Sequence, residues 1–68
     1  MSNDPAATLI GAAVRARRKS IGITQEDLAS LAGVSARFLG ELERGKPTIR
    51  LDSLLSVCAA LGLTIGVT

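Results

Sequence analysis

The chain has no histidine, tryptophan or tyrosine, and it contains one phenylalanine and one cysteine, Cys58. A lone cysteine excludes an internal disulfide, and the lack of histidine excludes a zinc site of the usual Cys/His kind. The same absences leave no histidine base and no metal-binding constellation, and no glycine-rich loop follows a strand. An enzyme is therefore the least supported class of protein, and we expect no cofactor.

Long apolar runs are also missing. No uninterrupted apolar segment reaches membrane-spanning length, and the amino terminus has no positive region followed by an apolar stretch. These absences predict a cytoplasmic protein without a membrane partner. With 68 residues, 47% of them hydrophobic, the chain is expected to form a single domain, residues 1–68, with a core of Leu, Ile, Val and Ala. Such a core suits packed helices.

Positive charge is concentrated in the middle of the chain. The formal net charge is only +2, but all eight basic residues lie between Arg15 and Arg50, and four of them fall within RARRK at residues 15–19. A local basic cluster attracts polyanions, and salt screens that attraction. A solvated helix face would give the same pattern, so the cluster alone does not decide between the two interpretations.

Capping residues, glycines and apolar spacing indicate an all-α fold. Asp4 and Pro5 are typical of a helix start, Thr24 and Ser35 can each cap a further helix, and Gly33 separates these two. A fourth helix is indicated by leucines that recur in a three-and-four pattern. The predicted helices span residues 5–20, 25–32, 36–44 and 51–61.

The spacing of apolar residues changes after the fourth helix. Leu63, Ile65 and Val67 alternate with smaller or polar residues, which predicts a β-strand over residues 63–67. One strand in a helical chain has no partner within that chain. We therefore expect these three residues to form a dimerisation strand that pairs with a second copy around a twofold axis. The alternative is a frayed apolar tail.

Two short capped helices joined by a tight turn form the layout of a DNA-reading helix-turn-helix. Ala29 lies where the helices would cross closely, and Gly33 supplies a positive φ at the turn with little strain. The candidate base-reading residues of the third helix are Ala36, Arg37, Gly40 and Glu41. Arg37 can reach a guanine edge, and Ala36 can pack on a thymine methyl. Glu41 is open to three roles: accepting from a cytosine amino group, orienting Arg37, or repelling non-cognate contacts.

A second set of residues is predicted to contact the DNA backbone. Amide groups at the starts of the second and third helices, together with Gln25 and Ser35, can donate to phosphate oxygens. Lys46 and Arg50 follow the reading helix directly, and Arg44 lies at its end. The remaining basic residues of the first helix, at positions 15, 17 and 19, are expected to be surface residues.

The segment ITQEDLASLAGVSARFLGELERGKPT resembles the helix-turn-helix of the XRE/Cro family, the phage-repressor-like bacterial regulators. The resemblance lies in the Thr-Gln opening, the Ala and Gly at the turn, and the LERGK exit. More narrowly, GELERGKPTIRLDSLLSVCAALGLTIGV is similar to the HipB-like antitoxins, whose final helix leads into an alternating strand. The resemblance implies a lambda-repressor-like bundle and a repressor that binds a palindromic double-stranded DNA operator as a homodimer.

The resemblance also implies roles for individual residues. Gln25 matches a phosphate-clamping glutamine, and Arg18 and Glu43 match an ion pair that ties the first helix to the third and keeps Arg18 close to a phosphate. Alternatively, both side chains of this pair face solvent. Phage-type members often carry glutamines on the reading helix, and this chain has none there. An operator sequence is therefore not implied.

The similarity to HipB-like proteins implies a protein partner in addition to DNA. Such antitoxins bind a HipA-type kinase toxin and repress their own operon. The alternative function is thus a protein-interaction module whose main role is to neutralise a toxin, with DNA binding secondary. The residues of the chain support DNA binding directly, whereas the toxin partner is implied only by the resemblance.

Overall fold

The computed structural model describes residues 4–66, which fold into a small bundle of four helices. The helices are α1 (Pro5–Ile21), α2 (Gln25–Ala32), α3 (Ala36–Glu43) and α4 (Leu51–Leu61). α1 continues one residue beyond the expected end, and α3 stops before residue 44 because Arg44 is its C-cap. Within the described range, none of these helices is long and apolar enough to cross a bilayer.

The ends of α2 and α3 are set by local hydrogen bonds. Thr24 accepts from the Asp27 backbone N–H at 3.0 Å, and the Asp27 carboxylate accepts from the Thr24 N–H at 3.2 Å, which completes a capping box. Ser35 caps α3 in the same way, since its hydroxyl accepts from the Phe38 N–H at 2.9 Å. Gly33 ends α2 with φ 71°, a left-handed conformation that suits glycine. The turn between α2 and α3 is therefore encoded locally.

Apolar side chains from all four helices form the core. They are Val14 on α1, Leu28 and Ala29 on α2, Leu39 and Leu42 on α3, and Leu54, Val57, Cys58 and Leu61 on α4. Burying a leucine side chain contributes about 1.5–3 kcal/mol, so this cluster is the main source of stability. Both α1 and α2 pack against α3 and against α4, which places α3 with its inner face on the core.

The end of α3 lies unusually close to α1. A Cβ added at Gly11 would overlap the carbonyl oxygen of Leu42 and would lie 3.1 Å from the Glu43 oxygen and the Gly45 nitrogen. Gly45 itself has φ 85°, and a Cβ there would lie 3.1 Å from the Thr8 Cα. The two backbones thus meet with no side chain between them. This contact fixes how deeply the end of α3 sits against α1.

The β-strand expected over residues 63–67 is not formed in residues 63–66, and Val67 lies outside the described residues. The Leu63 N–H donates to the Cys58 carbonyl at 2.8 Å, which closes the end of α4 instead. Leu63 and Ile65 line an apolar hollow of about 210 Å³ beside α1. A strand needs a neighbouring backbone to complete its hydrogen bonds, and no other part of residues 4–66 offers one.

The contact at Gly11 predicts a large effect from a single methyl group. Gly11→Ala should destabilise the protein by about 1–3 kcal/mol, because the overlap with the Leu42 carbonyl outweighs the gain in helix propensity of about 1 kcal/mol. Urea unfolding followed by circular dichroism measures the change. Gly66→Ala is the control, since an added Cβ there meets nothing within 4 Å. Equal stability of the two variants would contradict the close approach of α1 and α3.

Candidate nucleic-acid interface

One side of α3 is buried against the core, and the opposite side is exposed at the amino-terminal end of the helix. Leu39 and Leu42 are 0% and 1% exposed and hold the inner face of the helix. On the opposite side Ala36 is exposed, and the Arg37 side chain is 88% exposed. Arg37 is therefore directed into solvent at the end of the helix where a groove-reading residue is needed.

Glu41 lies on the same outward face, one turn after Arg37. Its Oε2 atom is 3.3 Å from the Lys46 Nζ and 3.9 Å from the Arg37 Nε. The Glu41 side chain is 24% exposed, against 45% for Lys46 and 88% for Arg37. The carboxylate is thus partly buried, and one of its oxygens contacts both cations.

Gly40, one of the expected base-facing residues, is less exposed than Ala36 and Arg37. The residue is buried, and a Cβ added there would lie 3.3 Å from Arg44 Nη1 and 3.9 Å from Gln25 Oε1. The side chains of Arg44 and Gln25 therefore lie across this part of α3. The absence of a side chain at Gly40 leaves room for them.

Arg18 and Glu43 form a two-pronged ion pair between α1 and the last turn of α3. The Arg18 Nε and Nη2 atoms donate to the two Glu43 oxygens at 2.8 and 3.0 Å, and Nη1 donates to the Ile23 carbonyl at 2.9 Å. The two side chains are only 11% and 2% exposed. Each guanidinium nitrogen thus has a partner within the chain, and these bonds use three of the five N–H donors of Arg18.

Gln25 joins the same network from the first residue of α2. Its Nε2 donates to Glu43 Oε1 at 3.0 Å. Burial opposes the ionisation of Glu43, but the hydrogen bonds from Arg18 and Gln25 and the Arg18 charge outweigh it, so the Glu43 pKa lies below its ordinary value of 4.5. The hydrogen bonds that Arg18 donates to the Glu43 carboxylate raise the pKa of Arg18. The amide of Gln25 is therefore held in place at the start of α2, next to α3.

The remaining phosphate candidates are spread around α3. Arg44 and Lys46 are exposed and line an open hollow of about 340 Å³ at the end of this helix. Ser35 lies at the opposite end, where its hydroxyl is engaged in capping. Arg50 is also exposed but binds Asp52 through two hydrogen bonds of 2.8 and 3.2 Å, and these lower the pKa of Asp52. Arg50 is not among the residues that line the hollow.

The structure gives roles to two residues that the sequence pattern did not single out. The Arg17 Nε donates to the Leu61 carbonyl at 3.0 Å, so a residue expected to be only on the surface caps the end of α4. Gly11 sets the approach of α1 to α3. From the sequence alone, the carbonyl groups at the end of α4 are expected to need a hydrogen-bond donor, but the sequence does not identify Arg17 as that donor.

Helices α2 and α3, which pack against each other and are joined by a turn at Gly33, have the geometry of a helix-turn-helix DNA-binding domain. The helix-turn-helix family HTH_3 matches residues 14–67, and the chain belongs to this family. The predicted membership of the XRE-type regulators is thereby confirmed. The family consists of transcriptional regulators, and the chain is an HTH-type transcriptional regulator in this general sense.

Individual relatives agree with the family. The chain is 45% identical over 58 residues to the uncharacterized HTH-type transcriptional regulator y4mF of Sinorhizobium fredii, covering 85% of this chain and 76% of the relative. Its fold is similar to that of the restriction-modification controller protein C.AhdI from Aeromonas hydrophila, with a TM-score of 0.80 and 30% identity over 90% of this chain and 92% of that one.

A HipB-type fold is also among the similar structures. A chain of the HipA-HipB-O2-O3 complex superposes with a TM-score of 0.84 over 100% of this chain and 96% of that chain. The two sequences are 19% identical, so the likeness shows a shared fold and nothing about partners.

The buried ion pair predicts a defined pH dependence of stability. Since the pKa of Glu43 in the folded protein lies below 4.5, its contribution is fully present above pH 4.5 and is lost as the pH falls through the lowered value. Glu43→Gln should remove about 3 kcal/mol at neutral pH, because it leaves the Arg18 charge largely buried without its partner. The variant should also lose less further stability on acidification than the wild type. Urea unfolding at several pH values measures both effects.

Asp52→Asn provides the matched control for an exposed pair. The side chains of Arg50 and Asp52 are 77% and 68% exposed, so water replaces the lost contact and the effect on stability should be much smaller. If both variants lose the same small amount, the Arg18–Glu43 pair does not anchor α3.

Proposed function

We propose that the chain is a sequence-specific repressor that binds double-stranded DNA as a homodimer on a palindromic operator. The observation that carries this proposal is the placement of Arg37, which is 88% exposed on a helix held from behind by fully buried leucines. A helix about 10–12 Å across fits the major groove of B-DNA, which is about 12 Å wide. α3 is the helix that enters this groove.

The base contacts fall at the start and middle of α3. Arg37 donates to the O6 and N7 atoms of a guanine, and Ala36 packs on a thymine methyl. Glu41 also faces the groove from its position one turn later. Gly40 contributes indirectly, because it lets Arg44 and Gln25 lie close to the helix.

Backbone contacts surround this reading surface. The free N–H groups at the starts of α2 and α3 donate to phosphate oxygens, assisted by Gln25 and the exposed Ser35. Arg44 and Lys46 supply positive charge at the other end of α3. Arg50 is a further phosphate-contact candidate, which would have to exchange its bonds to Asp52 for a phosphate. These contacts position the domain on the duplex, whereas Arg37 and its neighbours on α3 select the sequence.

Dimerisation is supported by the apolar segment after α4. Ile65 is 40% exposed, and Leu63 and Ile65 flank an open apolar hollow. Pairing with the same segment of a second copy would cover this surface and supply the backbone partners that residues 4–66 do not offer. A twofold dimer places two reading helices about 34 Å apart, which requires a palindromic site.

A HipA-type kinase partner is a second proposal, which would make the chain an antitoxin. Its support is the sequence resemblance of residues 40–67 to HipB-like proteins, together with the apolar residues Leu51 and Leu55 on α4, which are 65% and 48% exposed. A stoichiometric complex with a kinase of this type, purified from the source cell, would support the antitoxin role. Recovery of DNA without any such kinase would contradict it.

The proposal predicts a specific effect of substituting Arg37. Arg37→Ala should remove about 1–3 kcal/mol of discrimination at one base pair and leave dimerisation unchanged, because the side chain contacts a base edge and not the second copy. Fluorescence anisotropy with duplexes that differ at each position of a selected site measures this loss. Lys19→Ala, which removes an exposed charge from α1, is the control. If Arg37→Ala weakens binding to all duplexes equally, Arg37 contacts a phosphate.

The dimer is tested by shortening the chain after Thr64. This truncation keeps Leu63, whose N–H closes the end of α4, and removes Ile65 and the residues that follow it. We expect the truncated protein to be folded but monomeric, and to lose cooperative binding to two half-sites. Sedimentation equilibrium at several concentrations measures the association. A dimer of unchanged affinity would place the interface elsewhere, with the exposed leucines of α4 as the next candidate.

A further inference from the structure

One carboxylate lies among the exposed positive charges of the reading surface. Between residues 36 and 46 the exposed cations are Arg37, Arg44 and Lys46. Glu43 also falls in this range, but its side chain is only 2% exposed and is bound to Arg18. Within residues 36–46, Glu41 is thus the accessible acidic group beside these cations, and its Oε2 contacts both Lys46 and Arg37.

The distances separate the roles open to Glu41. Its contact with Arg37 is 3.9 Å long, and the Arg37 side chain remains 88% exposed, so Glu41 does not hold Arg37 in one orientation. Lys46 is closer, at 3.3 Å, and lies with Glu41 in the lining of the hollow at the end of α3. A phosphate that approaches Lys46 therefore competes with a carboxylate that is already in place.

We propose that Glu41 is a specificity-determining residue. Its carboxylate weakens binding to duplexes of arbitrary sequence, and this loss of affinity is offset where a base pair presents an amino group to the carboxylate. This inference rests on the proposed function, since it assumes that α3 enters the major groove. It assigns to Glu41 a task different from that of Arg37: Glu41 disfavours the wrong duplex, and Arg37 favours the right one.

The physical basis is a difference in what surrounds the carboxylate. On a duplex of arbitrary sequence, Glu41 repels nearby phosphates and reduces the positive charge available from Lys46. The Debye length at physiological salt is about 8 Å, so charges closer than this are only partly screened. On a duplex with cytosine at the matching position, the N4 amino group donates to the carboxylate and offsets this repulsion. The affinity for arbitrary DNA thus falls more than the affinity for the selected site.

The test compares two duplexes and uses the intact chain. The first is a random-sequence duplex, and the second is a duplex selected by the wild-type protein from a randomised pool. Glu41→Gln should raise the affinity for the random duplex by about fivefold at low salt, and should steepen its salt dependence by about one released ion. The affinity for the selected duplex should stay unchanged or fall. The ratio of the affinity for the selected duplex to the affinity for the random duplex should therefore drop.

Two further variants distinguish this mechanism from a general charge effect. Ala60→Lys makes the same change in net charge on the exposed side of α4 and should leave the ratio of affinities unchanged. Lys46→Gln should weaken binding to random duplex more strongly in the Glu41→Gln background than in the wild type, because Lys46 is then free of its carboxylate. Thermal unfolding checks that each variant is folded.

Failure of the inference and failure of the proposed function give different results. If Glu41→Gln leaves both affinities unchanged, or raises both by the same factor, the inference is wrong while the proposed function stands. The inference is also wrong if Ala60→Lys lowers the ratio of affinities as much as Glu41→Gln does. If the wild-type protein binds neither the random duplex nor any duplex from the pool, the proposed function fails and this inference fails with it.

Discussion

The ion pair between Arg18 and Glu43 holds the end of α3 in a fixed position. It joins α1 to the last turn of α3, reaches the loop before α2 through the Ile23 carbonyl, and includes Gln25 at the start of α2. A buried ion pair is stable only when its remaining hydrogen-bonding groups are satisfied. Within the described residues no buried side-chain nitrogen or oxygen lacks a partner. The network can therefore orient the helix-turn-helix without leaving an uncompensated charge.

The outward face of α3 follows from how its inner face is held. Leucines press one side of the helix onto the core, and the backbone contact at Gly11 sets its depth, so the opposite side can carry a long, mobile side chain without loss of stability. This separates two tasks within one short helix. Leu39 and Leu42 determine where the helix lies, and Arg37 and Glu41 are left to contact other molecules. In that setting a residue as exposed as Arg37 contributes little to folding, and its chemistry points to binding.

Local features of the fold could be predicted from the sequence, whereas contacts between distant residues could not. Thr24, Ser35 and Gly33 act on their immediate neighbours, so the turn between α2 and α3 is readable without a structure. The burial of Gly40 depends on Arg44 and Gln25 crossing α3, and nothing in the local pattern indicates it. Alternation after α4 indicates a strand, but a strand also needs a partner backbone, which sequence period does not supply. The resemblance alone indicated that Arg18 pairs with Glu43, and the structure shows that this pair and a bond to the Ile23 carbonyl engage all three guanidinium nitrogens.

The most direct measurement of the central claim is a map of the backbone amide resonances of the whole protein during titration with a selected duplex. We expect the largest shifts at the starts of α2 and α3, along the outward face of α3, and in the segment from Lys46 to Arg50. Residues of α4 and the inner leucines of α3 should change little. Shifts concentrated on α4 with the resonances around Arg37 unmoved would contradict the claim that α3 reads DNA.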